Sequence, residues 1–188
     1  MAAGGPIRKD KLFFHLVYEG FRERLGLTKI ADTLPLSAKA DASRIEPIMR
    51  PLVALYPNPN LPGDRVTFSY SQPTREDFGQ ARSDYTLNQN DSAFVRYTTT
   101  SASRLEPHDF EDYTTSRTSR GQWITLAENH VFSPTLLNTF RFSFSRTKTF
   151  IIDPSEFIGP QYSLVPGRPL GTVAVGGFSS LGSDAPNS

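Results

Sequence analysis

The segment Leu136-Leu-Asn-Thr-Phe-Arg-Phe-Ser-Phe-Ser-Arg146 contains the clearest alternation of apolar and polar side chains in this protein. Side chains in a β-strand point alternately to opposite faces, so this pattern predicts an amphipathic strand. Its two predicted faces are Phe140, Phe142 and Phe144 on one side, and Arg141, Ser143 and Ser145 on the other. The pattern fits phenylalanines that meet lipid in a barrel and phenylalanines that fill the core of a soluble β-sandwich.

Four further segments show strand signals, at residues 11–21, 78–88, 92–103 and 117–131. In the first of them one predicted face is entirely apolar, and it consists of Leu12, Phe14, Leu16 and Tyr18. Together with residues 136–151, these segments predict an all-β fold, an antiparallel meander of about five strands.

The lengths of the predicted connections alternate. Residues 88–91 and 132–135 form tight turns, whereas residues 22–76 and 104–116 form long connections, and the Gly- and Pro-rich residues 152–188 follow the last strand. Short turns at one end and long loops at the other are typical of outer-membrane barrels. We therefore expect residues 1–151 to belong to a large transmembrane β-barrel and residues 152–188 to form a truncated external loop.

The first long connection, residues 22–76, carries a predicted helix at residues 43–56. Ser43 is a candidate N-cap, and Glu46 stands three residues later, as in a capping box. Pro47 suits the first turn of a helix, whereas Pro51 is expected to kink it or to start a second turn.

The turn near residue 90 sets the register of the second predicted hairpin. A three-residue loop at 89–91 places Asp84 opposite Arg96 and keeps Tyr85 on the apolar face, whereas a two-residue loop mixes the two faces. We therefore expect an Asp84–Arg96 pair on the polar wall, with a contribution of about 0–1 kcal/mol to stability.

Composition excludes several classes of protein. Of the 188 residues, 37% are hydrophobic, yet there are 14 Phe and 7 Tyr, which suits a barrel wall and a β-sandwich equally. A formal charge of +1 does not provide the clustered basic excess of a nucleic-acid-binding protein. The absence of cysteine excludes disulfides and thiolate chemistry. There is no apolar run of about 18 residues and no signal-peptide core at the N-terminus.

Catalytic and ligand-binding motifs are missing, so we expect no enzyme activity, no catalytic residues, no cofactor and no metal site. His15, His108 and His130 are far apart in sequence, and neither His15 nor His130 has a partner at metal-ligand spacing. The acidic loop at residues 106–112 is the best candidate for a cation contact, but a solvated external loop is favoured there.

Several motifs, in order, resemble the Oar-like branch of TonB-dependent outer-membrane receptors. They include the run from Gly4 to Phe14, the motif Arg44-Ile-Glu-Pro47 followed by Leu55-Tyr-Pro-Asn-Pro-Asn60, the hairpin motif Asn90-Asp-Ser-Ala-Phe94, and His130-Val-Phe-Ser-Pro-Thr135 followed by Phe140-Arg-Phe142. A further motif, Gly177-Phe178 with Leu181-Gly182, resembles a later loop of the family. These motifs are spread over nearly the whole chain.

This resemblance implies a transporter with a plug and a barrel of about 22 strands. It implies outer-membrane lipid, the rest of the barrel and plug, and the TonB complex as partners, without nucleic acid. The sequence begins where the family's barrel begins and five strands cannot close a barrel, since about eight are needed. We therefore expect a fragment from the start of the barrel that neither transports nor inserts stably alone.

Two functions follow as hypotheses. In the first, the full-length parent moves a bulky substrate across the outer membrane of a Gram-negative bacterium, with import and export both left open. Its lumen-facing polar wall is expected to include Arg82, Asp84, Arg96 and Arg141. Its lipid-facing residues are expected to be Leu12, Phe14, Leu16, Tyr18, Tyr85, Phe140, Phe142 and Phe144. The alternative is a soluble or cell-surface β-sandwich that binds carbohydrate or protein.

Overall fold

The strands of this protein form one sheet in a simple meander. A computed structural model describes residues 1–152, 162, 165 and 170–182. Six strands lie in the order β1-β2-β3-β4-β5-β6, so each strand pairs with its neighbour in sequence. Their bounds are β1 Ala2–Arg8, β2 Leu12–Asp32, β3 Arg65–Thr86, β4 Asp91–Pro107, β5 Thr114–Ser133 and β6 Leu136–Ile152. The predicted all-β antiparallel meander is confirmed.

The first strand, β1, is a sixth strand that the pattern of the sequence does not predict. Its sequence, Ala-Ala-Gly-Gly-Pro-Ile-Arg, has no alternation and a low β-propensity, and Pro6 argues against an interior strand. Pairing with β2 compensates, since Ala2 lies opposite Val17 and Gly5 lies opposite Phe14 in an antiparallel register. As an edge strand, β1 tolerates a proline, and the register is irregular after Pro6.

Two long connections are shorter than predicted. Strand β2 continues to Asp32 and β3 begins at Arg65, so the first connection spans 33–64 rather than 22–76. The second spans 108–113 rather than 104–116. The added part of β3 carries a short alternation of its own, with Val66, Phe68 and Tyr70 between polar residues. The added part of β2 lacks a continuous apolar face, and the two segments pair through the backbone and through polar contacts such as Thr28 Oγ1 to Ser69 Oγ at 3.2 Å. A strand without an apolar face gives no period-2 hydrophobic signal.

Short connections alternate with longer ones, as predicted. The extra strand, β1, adds one more short connection at the start of this alternation. Residues 9–11, 87–90 and 134–135 connect β1 to β2, β3 to β4 and β5 to β6. The longer connections are those between β2 and β3 and between β4 and β5. Short and long connections therefore alternate through all six strands, as in outer-membrane barrels.

The predicted helix at residues 43–56 is broken into shorter pieces. Within or overlapping that range, 3₁₀ turns span Ala42–Arg44 and Pro47–Met49, and a separate five-residue helix, α1, precedes it at Leu36–Ala40. A six-residue helix, α2, spans Arg50–Leu55, with a proline in its first turn. Pro51 therefore starts a helix instead of kinking one, because its ring fixes φ and its missing N–H is not needed there. Within the described residues, neither α-helix has the length or hydrophobicity needed to cross a membrane.

The chain divides into two compact units. The first consists of Met1–Arg22, Thr74–Ser103 and Thr118–Phe150, and it holds the amphipathic parts of the strands. The second consists of Glu23–Pro73, Arg104–Arg117 and Ile151–Ser188, and it holds both long connections.

The second unit has a buried hydrophobic core. Its buried members are Ala31, Leu52, Tyr56, Val66, Phe110, Tyr113, Leu170 and Leu181. Tyr56 packs edge-on against Phe110, with ring centroids 5.6 Å apart, and against Phe178, with centroids 6.5 Å apart. Segments far apart in sequence therefore fold into a packed loop domain instead of separate solvated loops.

Candidate functional site

Cross-strand contacts in the first unit show which side chains share a face of the sheet. Arg82 on β3 lies over the Phe94 ring of β4, with 4.2 Å from Cζ to the ring centroid. On the opposite face, Gln122 of β5 donates to the Tyr97 hydroxyl of β4 at 2.8 Å. Because side chains alternate along each strand, each contact shows which alternate residues of the two strands share a face of the sheet.

Two further contacts extend the assignment to β2 and β6. The Tyr18 hydroxyl of β2 donates to Asp77 Oδ1 of β3 at 2.6 Å, so even residues of β2 share a face with odd residues of β3. Thr139 Oγ1 of β6 donates to Asn129 Oδ1 of β5 at 2.9 Å, so odd residues of both strands share a face.

One face is apolar and exposed, and we call it the apolar face. Its members are Leu12, Phe14, Leu16 and Tyr18 of β2, Tyr85 of β3, Val95 and Tyr97 of β4, Ile124 and Leu126 of β5, and Phe140, Phe142 and Phe144 of β6. The last three are 55%, 54% and 50% exposed. An exposed apolar surface of this extent marks an interaction surface. All eight predicted lipid-facing residues lie on it, and their contact with lipid stays a prediction.

The other face carries the polar side chains, and we call it the polar face. It includes the four predicted wall residues Arg82, Asp84, Arg96 and Arg141. Here the structure corrects one pairing, because Asp84 is bound by Arg82 of its own strand at 2.6–3.1 Å and not by Arg96. No hydrogen bond or ion pair of Arg96 is found among the described residues, so its guanidinium is available to a ligand.

The shift of a turn explains this correction. Leu87 donates its N–H to the Asp91 carbonyl at 3.0 Å, so the three-residue loop is 88–90 rather than 89–91. The Asn88 side chain accepts hydrogen bonds from the N–H groups of Asn90 and Asp91, at 2.8 and 3.0 Å, which fixes the earlier turn. Moving the loop by one residue moves the pairing by two, so the faces are preserved while Asp84 faces Phe94.

A groove of about 480 Å³ lies on the polar face of the first unit. Its lining includes Phe78, Gln80, Arg96, Thr98, Trp123 and Thr125, and it also reaches Ile124, Ser143, Phe144 and Ser145. Trp123 folds back over Gly121, where a Cβ would lie 2.1 Å from the indole Cη2. The indole can therefore occupy this position only because residue 121 has no side chain. The groove combines an aromatic ring, a free guanidinium and several hydrogen-bonding groups.

A second groove on the first unit, of about 360 Å³, adjoins the same phenylalanine, Phe78. Its lining includes the carboxylates of Glu19 and Glu76. The grooves thus differ in charge, since the larger one contains a guanidinium and no carboxylate. Together they give the polar face the chemistry to contact a polar or charged ligand.

Charged groups border the apolar face beyond Tyr18. Arg22 Nη2 and Arg75 Nε donate to the two oxygens of Asp77, at 2.5 and 2.9 Å. The Tyr18 hydroxyl binds the same carboxylate. A tyrosine with an apolar ring and a bonded hydroxyl is typical of the boundary between lipid and water.

The loop domain holds buried and half-buried polar groups, one of which lacks a hydrogen-bond partner among the described residues. Lys39 Nζ donates to the Tyr56 carbonyl and to Asn58 Oδ1, and burial lowers the pKa of Lys39. Burial also raises the pKa of Tyr113 to about 12, and the Asp112 carboxylate adds to this shift. Within the described residues the Tyr56 hydroxyl has no hydrogen-bond partner, and burial raises its pKa.

The acidic loop at residues 106–112, which was the best sequence candidate for a cation contact, is used for structural contacts. Glu106 pairs with Arg104 at 2.8 Å and with Arg117 at 3.2 Å. Asp109 Oδ2 accepts a hydrogen bond from the Ser180 N–H at 2.8 Å. His108 Nε2 lies 2.9 Å from Thr115 Oγ1. Three of its candidate ligands are therefore already engaged.

The structure instead brings together three metal-binding side chains that no sequence motif indicates. Asp91, Glu128 and His130 each offer a ligand atom, and these atoms lie within 4.8 Å of one another. The available signal was the spacing of Glu128 and His130, two residues apart on a strand. The third member, Asp91, comes from the neighbouring strand, which only the register reveals.

The comparison with protein families gives one result. The model of a family described as "Outer membrane beta barrel domain" matches residues 37–186, most of the chain. No curated protein and no solved structure matches the chain significantly.

Proposed function

Since the chain belongs to the outer membrane beta barrel domain family, we propose that it forms one wall of a TonB-dependent transporter for a bulky substrate. The family supports a location in the outer membrane of a Gram-negative bacterium. The Oar-like motifs and the alternation of turn lengths support the narrower assignment to a transporter.

The observation that carries this proposal is the sorting of side chains in the first unit. Phenylalanines at 140, 142 and 144 point to one face, and the groove with Trp123 and Arg96 lies on the other. A barrel wall needs an apolar side for lipid and a polar side for the lumen. In a soluble sandwich the apolar face would be covered, whereas here its large side chains are about half exposed.

In this proposal the polar face lines the path of the substrate. The Arg96 guanidinium, which is not neutralised by a carboxylate in its groove, attracts anionic or hydroxyl-rich groups. The charge of Arg82 is neutralised by Asp84. Arg82 therefore contributes its volume to the polar face but little net charge. Energy for transport comes from the TonB complex through the full-length parent.

The test is cross-linking to TonB in a Gram-negative host that makes the full-length protein. We expect the protein in the outer-membrane fraction and a covalent adduct with TonB on denaturing gels. A matched strain without TonB controls for unrelated adducts. Outer-membrane protein without the adduct would overturn the transporter and leave a barrel of another function. Recovery in a soluble fraction without detergent would overturn the barrel as well.

A further inference from the structure

The cluster of Asp91, Glu128 and His130 lies in the first unit, where β4 begins and β5 ends, and the proposed transport function does not use it. We infer that these three side chains form a Zn²⁺ site that ties the two strands together beside their tight turns. Imidazole nitrogen and carboxylate oxygen are both ligands of Zn²⁺ in proteins, and three protein ligands leave one position of its tetrahedron open.

The backbone brings the three groups to one face. Val131 donates its N–H to the Asn90 carbonyl at 2.9 Å, which places Asp91 directly opposite His130. Glu128 precedes His130 by two residues, so both side chains point to the same side of β5. The site therefore depends on the register of β4 against β5 and not on a flexible loop.

Neighbouring groups hold two of the ligands in place. Asn88 Nδ2 donates to Asp91 Oδ2 at 2.6 Å, which leaves Oδ1 to face the imidazole Nδ1 of His130. The Phe132 ring packs edge-on against the imidazole, with ring centroids 4.2 Å apart. Groups of this kind orient metal ligands and restrict their rotation.

The third ligand is free to complete the site. Among the described residues, Glu128 makes no hydrogen bond or ion pair, and no lysine or arginine pairs with Asp91. Bonds of about 2.0–2.1 Å in a tetrahedron place ligand atoms about 3.3 Å apart. The ligand atoms lie within 4.8 Å of one another. The unbonded Glu128 carboxylate can rotate toward the ion, and the hydrogen bond between Asp91 Oδ1 and His130 Nδ1 must open to admit it.

A bound ion would change the local energetics in two ways. It would offset the mutual repulsion of the Asp91 and Glu128 carboxylates, whose ligand oxygens lie within 4.8 Å of each other. It would also stabilise the folded state over the unfolded one, because the three ligands come together only in the paired strands. A fourth position stays open for water, as in three-ligand zinc sites.

The test is Zn²⁺ titration, by calorimetry, of the full-length protein folded in detergent micelles. We expect one equivalent to bind and the midpoint of thermal unfolding to rise. His130→Ala should abolish binding, and His15→Ala, which removes a histidine outside the cluster, should leave it unchanged. Outer-shell partners alone alter metal affinity by about 10- to 100-fold, so Glu128→Gln should weaken binding at least as much.

Cobalt substitution gives a second readout that does not depend on stability. Co²⁺ in a tetrahedral site with these ligands should give strong visible absorption that Zn²⁺ displaces. Glu128→Gln keeps the volume of the side chain and breaks no hydrogen bond among the described residues, so this variant should fold. Binding that is equal in the wild type, His130→Ala and Glu128→Gln, or no binding at all, would overturn the site and leave a plain His130–Asp91 hydrogen bond.

Discussion

Large apolar side chains of β6 in the first unit of this chain are exposed, whereas those in the core of the second unit are buried. In the first unit Phe140 and Phe142 are 55% and 54% exposed, whereas in the second Phe110 and Leu181 are 2% and 0% exposed. A single solvent cannot favour both arrangements, because burying apolar surface is the main driving force of folding in water. This difference is the one we expect if one face of the first unit meets lipid and the second unit is surrounded by water.

The largest expected effect is in the loop domain. Phe110→Ala removes a fully buried ring that packs against Tyr56, and such a truncation costs about 3–5 kcal/mol. Hydrogen exchange of the amides in the second unit should show the loss. Ile48→Ala in the same unit is the control, since Ile48 is 81% exposed. Equal effects for the two variants would mean that the loops have no common core.

A charge on the sheet tests the apolar face. Phe142→Arg should destabilise the membrane-inserted protein by about 2–4 kcal/mol if residue 142 lies near the middle of the bilayer. Ser143→Arg, one residue further on and on the polar face, should have little effect. Urea unfolding in lipid vesicles measures both variants. A larger loss for Ser143→Arg would reverse the assignment of the faces.

High pH should weaken the second unit selectively. The pKa of Tyr113 is about 12 in the folded state because burial disfavours the phenolate, against about 10 when unfolded. Between these values the unfolded chain releases a proton that the folded chain keeps, so stability falls as pH rises. Tyrosinate absorption together with unfolding at each pH tests this. In Tyr113→Phe, which cannot ionise, the fall should be smaller.

The smallest expected effect concerns the polar face. Removing the Arg82–Asp84 pair with Asp84→Asn should cost about 0–1 kcal/mol, because both side chains are partly exposed and solvent screens them. Arg96→Ala, which removes a guanidinium without a carboxylate partner among the described residues, is the matched control. Urea unfolding of both variants gives the difference. A loss of several kcal/mol for Asp84→Asn would indicate a pair shielded from water.

The sequence predicted the amphipathic strands because their period is local. Phe140, Phe142 and Phe144 alternate with polar residues, and no distant residue is needed to recognise that pattern. Strand β1 was not predicted because its Ala, Gly and Pro residues do not alternate in this way. Only its pairing with β2 makes it a strand. The tight turn near residue 90 was predicted with the correct length, but the Asn88 side chain moved it by one position.

The loop domain and the metal-binding cluster were out of reach for a different reason. Tyr56, Phe110 and Leu181 lie in three separate segments of the chain, so no local sequence pattern predicts that they share a core. The same holds for Asp91 and His130, which meet only through the register of two strands. Contacts between distant segments therefore decide both features, while short-range patterns decide the faces of the sheet.

The most direct test of the central claim uses the absence of cysteine in this protein. Single cysteines placed one at a time at residues 140–145 of β6 are spin-labelled, and the complete protein is inserted in lipid vesicles. We predict that labels at 140, 142 and 144 are more accessible to a lipid-soluble relaxing agent and labels at 141, 143 and 145 to a water-soluble one. Equal accessibility along the strand, or the reverse alternation, would contradict the assignment of the apolar face to lipid.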